Sequence, residues 1–174
     1  MKALTLHQPF ATLVAIGAKR IETRSWYTPY RGELAIHASK TFPPEAVLLF
    51  WEPEFYGVLR RAGYHNPQDL PFGAIIATCM LTGCVPTTRE LVGPELQHRS
   101  EDMFGERPNT AHIKRLALLD GLSEQEQLFG DFSPGRYAWF LSDIIQLEPV
   151  PARGYQQLWE WLPLLGTSEP GVRV

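Results

Sequence analysis

Residues Gly73 to Val85 form a nearly unbroken apolar stretch that opens with Gly73-Ala74-Ile75-Ile76-Ala77, and this stretch restricts the fold more than any other part of the chain. It is strand-like, and its continuous apolar character calls for cover on both faces of the sheet that holds it. The fifteen prolines and fourteen glycines scattered over 174 residues argue for many turns and long connections rather than a helix bundle. A chain of this length is most simply one domain with a sizeable core. Further strands are expected at Ala3–Leu6, residues 20–26, Glu33–Ser39 and Tyr137–Leu147. The pattern gives an α+β or mainly β fold.

The helices implied between these strands are short. Pro9 suits the first turn of one, Phe10, Leu13, Val14 and Ile16 supply its apolar contacts, and Gly17 is its stop. Pro43-Pro44 opens a second that reaches about Trp51. Residues 52–72 form a connection with one short helix. Residues 86–135 read as a long polar insertion, with helices at His112–Leu119 and Ser123–Phe129. The latter carries a capping-box pattern, Ser123-Glu124-Gln125-Glu126. Tyr155–Trp161 reads as a last helix, and residues 164–174 as a loose tail.

Net charge is −3, which argues against a coat for duplex nucleic acid. The charge is uneven: residues 1–40 carry +4 and the remainder −7, so one basic end is available to receive a phosphate. No apolar run approaches the ~18 residues that span a bilayer. The N-terminus does not read as a secretory signal, so a cytoplasmic protein with no membrane partner is expected. Cys79 and Cys84 read as buried thiols, and the histidine spacings support no metal site and no cofactor.

The segment Gly17-Ala18-Lys19-Arg20-Ile21-Glu22-Thr23-Arg24, running into Ser25-Trp26, holds the densest chemistry. On a strand over residues 20–26, Arg20, Glu22, Arg24 and Trp26 share one face, and Ile21, Thr23 and Ser25 share the other. Lys19 enters beside the polar face. An ammonium, a carboxylate, a guanidinium and an indole on one small surface suit a flat, polar ligand bearing a phosphate or carboxylate. The competing reading is a salt-bridged solvent face. Gln8 either reads a base edge through its amide or ties the first strand to the following helix. Trp26 either stacks on a base or caps the core. Arg31, before Gly32, sits in the turn most like a backbone anion contact, and His37 and Ser39 fall on the polar face of their strand. Lys19 and Glu22 are the residues that would serve as base and proton shuttle if the protein were an enzyme.

The run matches G-x-K-x-x-E-x-R and resembles the signature of the ASCH domain (activating signal cointegrator homology), a branch of the PUA-like superfamily. Leu6-His7-Gln8-Pro9-Phe10-Ala11, Arg31-Gly32-Glu33-Leu34-Ala35-Ile36-His37-Ala38, and Tyr137-Ala138-Trp139-Phe140-Leu141 with Arg153-Gly154 and Leu158-Trp159 resemble its other blocks in the same order. The resemblance implies a small PUA-like β-barrel decorated with short helices, spanning residues 1–163. It also implies a nucleic-acid or modified-nucleotide-binding module, most readily for single-stranded RNA. Its cleft would be lined by Gln8, Lys19, Glu22, Arg24, Trp26, Arg31, His37 and Ser39. One branch of the family is similar to amidohydrolases that deacylate N4-acetylated cytidine with a lysine, a threonine and a glutamate. Lys19 matches that lysine, but Glu22 stands at the threonine position, and the adjacent Thr23 is expected on the opposite face. Two further readings therefore stay open: a hydrolase acting on modified nucleosides or RNA, and an adaptor that binds a protein partner through the insertion.

Overall fold

The structure, a computed structural model, describes residues 1–87 and 122–162. The expected helix at His112–Leu119 and the tail after Pro163 lie outside the described residues.

Six strands, β1 (Lys2–Leu6), β2 (Ile21–Arg24), β3 (Gly32–Ala38), β4 (Ala74–Pro86), β5 (Tyr137–Pro151) and β6 (Leu158–Glu160), form one mixed sheet in the order β2-β5-β4-β3-β1-β6. Only the β1–β3 pair is parallel. The sheet curls into a half-barrel with short helices packed around it, the small-barrel architecture that the sequence implies. The curl has a local cause. Pairing between β4 and β5 shifts register at three places, and between β3 and β4 once, after Ile36. Such bulges bend a strand and raise its twist. Asp143, beside one of these shifts, sits at φ 50°, a conformation that aspartate tolerates better than most residues.

β4 carries the apolar run that begins at Ala74, and it lies inside the sheet with cover on both sides. Ile76, Cys79, Leu81 and Cys84 join the barrel core with Leu4, Leu6, Leu34, Ile36, Trp139 and Leu141. Ile75 turns to the opposite face, against Ala3 and Ala35. Both cysteines are buried and free, and burial pushes the Cys79 thiol up to about 12.

The α-helices among the described residues are α1 (Phe10–Ala15), α2 (Pro44–Trp51), α3 (Pro53–Arg61) and α4 (Glu124–Leu128). Among the described residues none is long and apolar enough to cross a membrane. Leu13, Phe50, Phe55, Leu59, Leu70 and Phe129 form a second apolar cluster that holds these helices together. α1 ends at Gly17, which takes φ 73°. The Gly17 N–H then bonds to the Val14 carbonyl at 2.8 Å and the Ala18 N–H to the Leu13 carbonyl at 2.9 Å. This is a Schellman stop, and it delivers the chain directly into Lys19.

Two expectations change. Tyr155–Trp161 is not a helix: Gln157 takes φ 58°, and Leu158–Glu160 pairs antiparallel with Lys2–Leu4 as the edge strand β6. The backbone groups left open by β1 compete successfully with local helix formation for so short a segment. β2 is also shorter than residues 20–26, and the chain leaves the sheet after Arg24.

Candidate functional site

Within β2 the predicted alternation holds. Thr23 faces away from the ion pairs, and its Oγ1 accepts the Asp131 N–H at 3.1 Å. Glu22 and Arg24 share the opposite side, with Glu22 Oε1 3.2 Å from Arg24 Nε. Lys19 bends to the same side, its Nζ 3.6 Å from Glu22 Oε2 and donating to the Ile21 carbonyl. Lys19 is only 1% exposed and Glu22 8%, so this is an enclosed row of alternating charge rather than a solvated face. Arg20 stands outside the row, exposed, before the strand begins.

Arg24 is the outward end of that row. Its Nη2 donates to the Thr5 carbonyl of β1 at 2.7 Å. β2 is one edge of the sheet and β1 lies next to the other edge, so this bond bridges the open seam of the half-barrel.

At the seam lies a cleft of about 840 Å³. Four chain segments build it: Leu4, Thr5 and His7 from β1 and just beyond; Arg24 and Trp26; His37, Ser39 and Lys40 from the end of β3; and residues 153–157 of the β5–β6 link. Among the described residues its lining holds Arg24, Lys40 and Arg153 and no carboxylate, with Trp26 and Tyr155 as aromatic surfaces. Trp26 packs edge-on to the buried Trp139, centroids 4.6 Å apart, so it contributes to the core and to the cleft at once.

His37 is buried in the cleft wall. Its Nε2 lies 3.1 Å from the Ala152 carbonyl. A carbonyl can only accept, so the proton sits on Nε2 and the lone pair on Nδ1. That Nδ1 is buried and has no hydrogen-bond partner among the described residues. Burial holds the imidazole below its ordinary pKa, the nearby Lys40 ammonium adds to this, and the Ala152 carbonyl opposes it. Gly154 crosses directly over the ring: a Cβ there would lie 2.5 Å from Nδ1 and 2.3 Å from Cε1. Only a glycine lets the β5–β6 link approach this closely.

The structure thus brings Arg24, Trp26, His37 and Ser39 together in the cleft and sets Lys19 and Glu22 behind Arg24. Gln8 is fully buried elsewhere, its Oε1 accepting the Thr12 N–H at 3.1 Å and its Nε2 donating to the Pro71 carbonyl at 2.7 Å. This is the structural tie, not a base-reading amide. Arg31 is likewise outside the cleft lining and donates to the Thr28 and Tyr30 carbonyls. Sequence reasoning did not single out Thr5, His7, Lys40, Arg153, Tyr155, Gln156 or Gln157. Arg153-Gly154 was the one signal for that wall, as a pair of residues in a family block.

A sheet curled into a half-barrel, with a basic, aromatic cleft at its seam, defines a small-barrel domain. The ASCH domain profile matches residues 4–151, and the chain belongs to that family. Over 104 residues it is 40% identical to human activating signal cointegrator 1, an alignment that covers 58% of this chain and 17% of that protein. Over 103 residues it is 35% identical to the mouse protein of the same name, again covering 58% and 17%. The chain therefore corresponds to about a sixth of the length of these relatives. The crystal structure of an ASCH protein from Zymomonas mobilis aligns over 94% of this chain and 87% of that one, with 17% identity and a TM-score of 0.45.

Proposed function

We propose that the protein binds single-stranded RNA, or one splayed nucleotide with its phosphate, in the seam cleft. The observation that carries this reading is the composition of the lining among the described residues: Arg24, Lys40 and Arg153 with Trp26 and Tyr155, and no opposing carboxylate. Guanidinium groups grip phosphate oxygens in pairs, and aromatic faces accept bases of any sequence. Single strands are favoured because base edges in the major groove of A-form RNA are out of reach. The nucleic-acid association that membership of the ASCH family implies points the same way.

Lys19 and Glu22 act here by position. Enclosed behind Arg24, Glu22 supplies the countercharge for the guanidinium that meets the ligand, and Lys19 sits on the other oxygen of that carboxylate. Their enclosure supports binding rather than hydrolysis at these two residues, because neither lines the cleft.

The test is the salt dependence of binding to a labelled single-stranded RNA. A Lys40→Gln/Arg153→Gln protein should bind more weakly. Its log–log salt slope should be shallower by about 0.7 for each phosphate contact removed. Unchanged affinity and slope in a variant with native thermal unfolding would rule the reading out.

A further inference from the structure

Resting on that reading, we propose that Tyr155 is the stacking platform for one unpaired base, with Arg153 as the phosphate contact beside it. Neither residue belongs to the signature run.

Tyr155 lines the cleft and is 52% exposed, so its ring is open to a ligand that enters there. The ring is held in place. It meets Trp159 at a centroid distance of 5.4 Å and an interplanar angle of 63°. Trp159 is itself fixed by its indole N–H, which donates to Thr5 Oγ1 at 3.1 Å. Trp159 in turn packs edge-on against the buried His37, centroids 5.6 Å apart. A chain of contacts thus ties the exposed ring to the sheet. The backbone on either side is constrained as well: Gly154 presses against His37 and Thr5, and Gln157 sits at φ 58°. A ring immobilised before its ligand arrives loses little entropy on binding.

The Arg153 guanidinium lies over the Tyr155 ring, 5.4 Å from its centroid. A guanidinium in that place is a planar, positively charged stand-in for a base. At that separation it is not in close stacking contact, and an arriving base can take the ring face while the guanidinium moves to the adjoining phosphate. One side-chain movement then converts a cation–π contact into a stacked base and a phosphate clamp.

The two roles separate experimentally, because stacking needs a base and the clamp needs only a phosphate. The probes are a labelled oligoadenylate and an abasic ribose-phosphate strand of equal length. Tyr155→Ala should weaken oligoadenylate binding about 5- to 150-fold, leave its salt slope unchanged and leave the abasic strand unaffected. Tyr155→Phe should keep wild-type affinity for both, since the ring face remains. Thermal unfolding of both variants shows that the fold persists. Equal weakening of both strands by Tyr155→Ala, or wild-type binding of oligoadenylate by that variant, would overturn the assignment while leaving RNA binding in place. If the unaltered protein held neither strand, the proposed function would fall and this assignment with it.

Discussion

Glu22 and Arg24 meet as a close ion pair, Oε1 to Nε 3.2 Å, but the Arg24 Nε–H makes no directed hydrogen bond. The contact is therefore electrostatic, and Arg24 takes its direction mainly from Nη2 on the Thr5 carbonyl. Glu22 serves two cations at once, with Lys19 on its other oxygen. Removing its charge would strand an almost fully enclosed ammonium. Breaking a buried pair from one side costs about 3–5 kcal/mol, and the lower end applies here because the Arg24 side chain is 26% exposed. Glu22→Gln should lower the urea unfolding free energy by about 3 kcal/mol. A loss below about 1 kcal/mol would mean that the row is held together by packing rather than charge.

His37 gives a pH signature. Its imidazole is neutral and buried, with a pKa below the ordinary value of about 6.5, chiefly through desolvation and then through Lys40. Arg24, Arg153 and His7 also line the cleft around it. The unfolded chain takes up a proton at the ordinary value, and the folded chain only at lower pH. Between those two values the unfolded state binds more protons, so stability rises with pH across that window. The contribution is complete above about pH 6.5 and is lost as pH falls towards the folded value. Urea midpoints measured from about pH 5 to 8 should show this fall in the unaltered protein and a smaller one in His37→Gln. Identical profiles would place the titration elsewhere.

What was legible in the sequence was what depends on neighbours along the chain. Gly17 read as a helix stop because a left-handed residue there is a local need, and β4 read as a doubly covered strand because its apolar character is continuous. The charged row was readable because a strand puts Glu22 and Arg24 two residues apart on one side. The cleft was not readable in full. Lys40, Arg153 and Tyr155 join Arg24 only because bulges in β4 and β5 curl the sheet until its edges face each other, and no spacing records that. β6 was misread for the same reason: its stabilising partner is β1, at the other end of the chain. One of the two hydrogen bonds of the Gln8 amide also joins positions that sequence separation hides, since Pro71 is far along the chain.

Glu126 shows how a local motif takes on a distant task. Ser123 caps α4 as the capping-box pattern predicts, accepting the Glu126 N–H at 3.2 Å. The Glu126 carboxylate does not turn back to close the box. It accepts the Arg20 N–H at 2.5 Å and the Ile21 N–H at 3.3 Å, while Gln125 Nε2 donates to the Ala18 carbonyl at 2.7 Å. α4 is thus latched to the entrance of β2. Glu126→Ala removes both bonds and should cost about 1.5–3 kcal/mol, the usual net range for hydrogen bonding to a charged group. Amide exchange at Ile21 should quicken more than exchange at β4 amides. Equal acceleration at both would mean global destabilisation and no local latch.

Gly154 and His37 form a steric pair whose tightness can be measured. An alanine Cβ at position 154 would lie 2.3 Å from His37 Cε1 and 2.9 Å from Thr5 Oγ1. The ring is buried and pinned by Ala152 and Trp159, so it has little room to retreat. Overpacking of this kind costs about 1–3 kcal/mol. Gly154→Ala should therefore destabilise the protein by that amount and weaken RNA binding, because the link that carries Arg153 and Tyr155 must lift off the wall. The clash needs both partners, so His37→Ala should relieve it. In the double variant Gly154→Ala/His37→Ala, the effect of the alanine at position 154 should shrink to what the remaining Thr5 contact costs when measured against His37→Ala alone. Strict additivity of the two unfolding free energies would show that the residues do not meet, and that some other constraint requires glycine at this position.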